Sequence, residues 1–152
     1  MINLQEKKAE LLHEITLSCN NADMQLAVIH SYLTRSYWSA GISQALVAQA
    51  MANSLCFGVF LRGKQIAFAR VITDKTSFAY LADVFVLEAY QGQGVSKKLM
   101  TYLMAHKHLQ GLRRFMLCTA DAHGLYQQFG FSVVDNADKL MQVHSADIYK
   151  MH

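Results

Sequence analysis

Two neighbouring stretches, Ser77-Phe-Ala-Tyr-Leu-Ala-Asp83-Val-Phe-Val86 and Gln91-Gly92-Gln93-Gly94-Val95-Ser96, decide how the rest of the chain is read. The first is apolar on both of its alternating faces, so it belongs in the middle of a sheet. Its one exception is Asp83, a carboxylate inside an otherwise continuous hydrophobic strand. The second stretch stands between that strand and a segment of helical period. There Val95, Leu99, Leu103 and Met104 or Ala105 form a core stripe, with Lys97, Lys98 and Thr101 facing out. Amides at a helix N-terminus have no intrahelical partner, and the helix dipole favours an anion there. Glycines let a backbone approach a ligand closely. A phosphate site is the natural inference, although an isolated Gly-x-Gly also suits a plain turn. Two familiar phosphate motifs do not fit. A Walker loop needs lysine and then serine or threonine after its last glycine, where Val95-Ser96 stands. A dinucleotide fingerprint needs a small residue where Lys97 stands, and a parallel context.

Working outward, His13–Cys19 alternates apolar and polar residues, the period of a half-buried strand. Asn20–Asp23 is a turn whose Asp23 can cap a helix over about Met24–Arg35. Gly41 separates this from a second helix over about Ser43–Asn53. Strands follow at Leu55–Leu61 and Gln65–Thr73, joined by Arg62-Gly63-Lys64, and Asp74-Lys75-Thr76 turns into Ser77–Val86. Beyond the glycine loop and its helix come a short strand at Arg114–Thr119 and a short helix at Gly124–Phe129. Strands at Phe131–Val134 and Leu140–Val143 are expected to close the sheet. The pattern is a mixed α/β (α+β) sandwich about one sheet, read as a single domain over residues 1–152.

Composition narrows the function classes. A chain of 152 residues, 53% hydrophobic and 16% charged, buries a core of ordinary size. No run approaches the ~20 apolar residues of a membrane span, and Met1–Glu10 lacks the apolar core of a signal peptide. A cytoplasmic location is expected. The net charge of +3 suits a polyanionic small ligand better than nucleic acid. Cys19, Cys56 and Cys118 stand far apart among apolar residues and read as buried reduced thiols. The histidines show no ligand spacing, so no metal is expected.

Residue by residue, the glycine loop resembles that of the GNAT superfamily of acetyl-CoA-dependent N-acetyltransferases. Their signature is Arg or Gln, two residues, Gly, one residue, then Gly or Ala, directly after the fourth strand. Gln91, Gly94 and Ser96 fill its places, with serine departing from the commonest small residue. A second segment, Thr119-Ala-Asp-Ala122-His-Gly-Leu125-Tyr126 running on to Gly130-Phe131, is similar to the family's second cofactor segment. There Thr119 replaces the usual asparagine. The resemblance spans roughly His13 to Val143. It implies a mostly antiparallel sheet with a splayed fourth strand and helices on both faces. It also implies acetyl-CoA as co-substrate, its pyrophosphate on the amides of Gln91, Gly92, Gln93, Gly94, Val95 and Ser96. Phe85 and Val86 would pair with its pantetheine arm and Thr119 would lie beside it. Tyr126 would be the acid that protonates the departing thiolate, and the Val86 N–H would polarise the thioester carbonyl.

The remaining roles come from residue chemistry. Asp83 is a candidate base, a water chain being the alternative, and equally a structural aspartate bonded to neighbouring strands or Tyr80. Tyr37 and Trp38, paired aromatics in a loop, and His30 one helix back are candidates to hold the acceptor. The expected reaction is acetylation of a primary amine on a small molecule. An acetyl-CoA-binding module without turnover, or an acetyltransferase for protein lysines or N-termini, are the alternatives. The fold often pairs, and the sequence leaves a homodimer open.

Overall fold

A computed structural model describes residues 1–151. Its centre is a five-stranded sheet in the order β1 (Ile15–Ser18), β2 (Leu55–Leu61), β3 (Lys64–Thr73), β4 (Phe78–Val86), β5 (Arg114–Leu117). The first three pairings are antiparallel and the last is parallel. Two helices, α2 (Leu26–Leu33) and α3 (Gln44–Ala52), build a core with Cys56, Phe68 and Phe85. On the other face α4 (Val95–Met104) packs with Phe57, Val59, Ala67, Ala69, Val71 and Leu81, with Tyr126 of α5 (His123–Gln127) beside them. The mixed sheet with helices on both faces is the expected class.

From Ala67 onward, sequence alternation explains this division until Asp83. On β3, Ala67, Ala69 and Val71 face α4 while Phe68 faces α2 and α3. On β4, Ala79 and Leu81 face α4, and strict alternation would send Phe85 the same way. Instead Phe85 joins the other core while Val84 and Val86 lean on the α4 side. The register shows why. Phe68 pairs with Phe85 but Arg70 pairs with Ala82, so Asp83 and Val84 stand opposite the single residue Ala69. This is a β-bulge, with Asp83 in the left-handed region at φ 55°. One extra residue inverts the facing of everything after it.

Four expectations need correction. A helix α1 (Leu4–Glu14) precedes β1 where none was read; no residue of it is buried, so its apolar period is faint. Its start does carry a signature: Asn3 accepts from the Glu6 N–H while the Glu6 side chain accepts from the Asn3 N–H. Asp23 does not cap α2, whose N-cap Gln25 makes no side-chain capping bond; Asp23 accepts from Ser18 Oγ at 2.6 Å. Cys19 and Cys118 are exposed, and only Cys56 is buried. Finally, residues 131–134 and 140–143 form no strands. Met141 and Val143 are 97% and 103% exposed, so the alternating pattern there finds no neighbouring edge to bond to.

Candidate active site

Strand β5 bonds β4 only from Phe78↔Arg114 to Leu81↔Leu117. Past that pair the two strands part, and a cleft of about 1190 Å³ opens along Ala82–Val86. The Leu87 N–H donates to Ile66 O at 2.8 Å on β3. Backbone groups alternate sides along a strand, so those of Val86 face away from β3 toward the cleft. Gln91 Nε2 already donates to Val86 O at 2.9 Å there. Of the Val86 backbone groups on that side, the N–H is the one left for an extended ligand.

At one end of the cleft lies the N-terminus of α4. Its N-cap is Gly94, at φ 87°, and no side chain caps it. The first helical bond runs from Lys98 N to Gly94 O, leaving the amides of the first turn for a ligand. Gly94 could not carry a side chain freely. A Cβ there would need a left-handed backbone and would stand 3.2 Å from Lys8 Cε. Lys8 is on the unforeseen helix α1, and it brings an ammonium beside a loop that has no cation of its own.

Midway along the cleft, Tyr126 is only 8% exposed. Burial, with Tyr37 and Asp121 nearby, raises its phenol above its ordinary value and keeps it protonated. Its hydroxyl bonds no protein group among the described residues, so its proton is available. Thr119 Oγ1 accepts from Ala122 N at 3.0 Å, shaping the entry to α5. Tyr80 is pushed up to about 12 by burial, by its bond to Cys118 and by Asp83.

Asp83 stands where β4 bends. Its Oδ1 accepts from Trp38 Nε1 at 3.0 Å and its Oδ2 from Arg70 Nε at 2.8 Å. Asp83 and Arg70 are 11% and 15% exposed. The carboxylate thus joins the Trp38 loop to β3 across the sheet. Tyr37 packs edge-on against Trp38 with ring centres 5.0 Å apart. Tyr32 stacks on Phe85 at 4.2 Å, with the Arg35 guanidinium on its ring.

Of the residues singled out in the sequence, Asp83, Phe85, Val86, Gln91, Gly92, Val95, Ser96, Thr119, Tyr126, Tyr37 and Trp38 all line this cleft. Three do not. Gln93 reaches back to Ala89 O, Gly94 forms the turn, and His30 Nε2 bonds Ile42 O at 2.9 Å, steadying the α2–α3 connection. Sequence reasoning missed Tyr32, Arg35 and Tyr80 in the cleft walls, and Gln142 and His144 from the C-terminal segment. Arg70 was also missed. A lone arginine amid Phe68-Ala69 and Val71-Ile72 mirrors Asp83 on the next strand, and that pairing was the available signal. Among the described residues no cluster of His, Cys, Asp or Glu could hold a metal ion, and no helix is long and apolar enough to cross a membrane.

Comparison with known proteins gives one answer. The family model for the acetyltransferase (GNAT) domain matches residues 52–133. A Xanthomonas campestris structure, assigned to the GNAT family of acetyltransferases, is 47% identical with a TM-score of 0.87, covering 89% of this chain and 96% of that one. A curated Gibberella zeae protein assigned as an acetyltransferase is 27% identical over 149 residues, 83% of each chain. A Clostridium acetobutylicum acetyltransferase structure described with acetyl-CoA shares the fold at TM-score 0.63 and 12% identity, covering 86% and 96% of the two chains. The splayed β4, the glycine turn into α4 and the sequence match agree, and the chain belongs to the GNAT acetyltransferase family.

Proposed function

We propose that the chain, as one catalytic domain, transfers an acetyl group from acetyl-CoA to the primary amine of a small molecule. The observation that carries this reading is the alignment, in one cleft, of an uncapped α4 N-terminus, the cleft-facing N–H of Val86 and the protonated Tyr126. The cleft fits the co-substrate: amides of the first α4 turn for pyrophosphate, the β4 edge for the amides of a pantetheine arm. When bound, acetyl-CoA supplies an acyl group activated as a thioester. The Val86 N–H is placed to donate to a carbonyl oxygen, favouring charge as it develops there. Tyr126 holds the proton that the leaving sulfur takes. The amine nitrogen gains a bond to the acetyl carbon, the carbon–sulfur bond breaks, and the amine's surplus proton leaves to water. Water suits that last role better than Asp83, both of whose oxygens already accept hydrogen bonds. Tyr37 and Trp38 wall the cleft beside Asp83, where the acceptor's amine arrives. The free thiols suit a reducing cytoplasm.

A thermal-shift titration with acetyl-CoA, followed by turnover against a panel of amines, tests the reading. Stabilisation and product are expected; no shift at millimolar acetyl-CoA would overturn it. A shift without turnover on any amine would favour a binding module.

A further inference from the structure

A second cavity of about 460 Å³ lies behind the β4 bulge, on the α2–α3 side of the sheet. Its size is in the range of small-molecule pockets, about 300–1,000 Å³. Its walls are largely apolar, with Leu33, Ile42, Val47, Met51 and Phe68 prominent. Its charged groups are Arg70 and Asp83. The Arg70 guanidinium spends Nε on Asp83 and one Nη1 donor on Ser54 Oγ at 3.1 Å. Its Nη2 has no partner among the described residues. No buried side-chain nitrogen or oxygen among them is left unpaired, so Nη2 opens onto accessible space. Asp83 lines both this cavity and the cleft, whereas Arg70 lines the cavity alone. The residue common to the two spaces is therefore one half of an ion pair whose other half, Arg70, keeps unused donors.

We infer that this cavity takes the acceptor, and that the acceptor is an apolar α-amino acid. Its carboxylate meets the free Nη2 of Arg70, and its side chain lies among Leu33, Val47, Met51 and Phe68. Its amino group lies at Asp83, the residue common to the linings of cavity and cleft. A zwitterion laid crosswise on Arg70–Asp83 meets an opposite charge at each end. A polyamine or aminoglycoside carries several cations, for which Asp83 is the one carboxylate in these walls, already paired with Arg70. This inference rests on the acetyltransferase reading of the cleft, deepening it by naming the acceptor.

The test compares leucine, leucinamide and isoamylamine at saturating acetyl-CoA, three amines that share a side chain and differ at the carboxylate. Leucine should exceed both in kcat/KM by about 10- to 100-fold, the usual value of a hydrogen bond to a charged group. In an Ala50→Phe variant, whose new ring enters the cavity, the KM for leucine should rise at least about tenfold while the acetyl-CoA thermal shift is unchanged. Analogues as good as leucine would overturn the inference. So would a leucine KM untouched by A50F, or turnover confined to amines other than apolar amino acids. Absence of an acetyl-CoA shift in the unsubstituted protein would instead overturn the reading of the cleft.

Discussion

Tyr126 and Asp83 both sit nearly out of solvent, but their surroundings suit them to different tasks. Tyr126 keeps an unbonded hydroxyl and a phenol raised by burial. As the acid it works protonated, so kcat should show no alkaline fall below about pH 10, the ordinary phenol value. A pH–rate profile checks this. Tyr126→Phe should lower kcat by about 100-fold or more and leave acetyl-CoA binding intact, measured by turnover and thermal shift together. Asp83 is bonded on both oxygens, and Asp83→Asn would strand a guanidinium that is 15% exposed. The expected loss is about 3 kcal/mol in unfolding free energy, read by denaturant melts, because removing one partner of a buried pair leaves an uncompensated charge. The thiols divide as well. Cys56 is buried and pushed up to about 11, while Cys19 and Cys118 are exposed. A thiol reagent should modify two cysteines of the native protein, and bound coenzyme A should slow only Cys118, the one that lines the cleft.

At the scale of elements, the loop into α4 depends on one backbone angle and one helix brought from elsewhere. Gly94→Ala should cost about 1–2 kcal/mol from its left-handed backbone, and the Cβ would also press on Lys8, weakening coenzyme A binding. Lys8→Ala should weaken that binding about two- to fivefold at low salt, and less as salt rises, by calorimetry. These elements were not equally legible beforehand. The glycine turn and the strands around it could be read because sharp turns and deep burial constrain residue type strongly. Helix α1 could not be read from its period, since an exposed helix places few demands on its sequence. The strands expected at 131–134 and 140–143 had the right alternation, but pairing needs a partner edge, and period alone does not supply one.

For the whole molecule, the sheet separates two tasks. Tyr126 and α4 pack on one side and α2, α3 and the Arg70 cavity stand on the other, while the cleft where β4 and β5 part takes its walls from both. Most of the cleft could be anticipated because its residues cluster in two short segments near the chain's middle. The ion pair could not, because Arg70 and Asp83 lie 13 positions apart and meet only through the β3–β4 register.

The bulge at Asp83 behaves on β4 as a frameshift does in a message. Upstream letters are read by one layer of the protein and downstream letters by the other, though the strand itself is continuous. A substitution there changes one letter. Deleting Asp83 would restore an unbroken ladder and turn the end of the strand inside out, with Phe85 addressed to the wrong layer. One extra residue on β4 is what lets that strand serve two compartments.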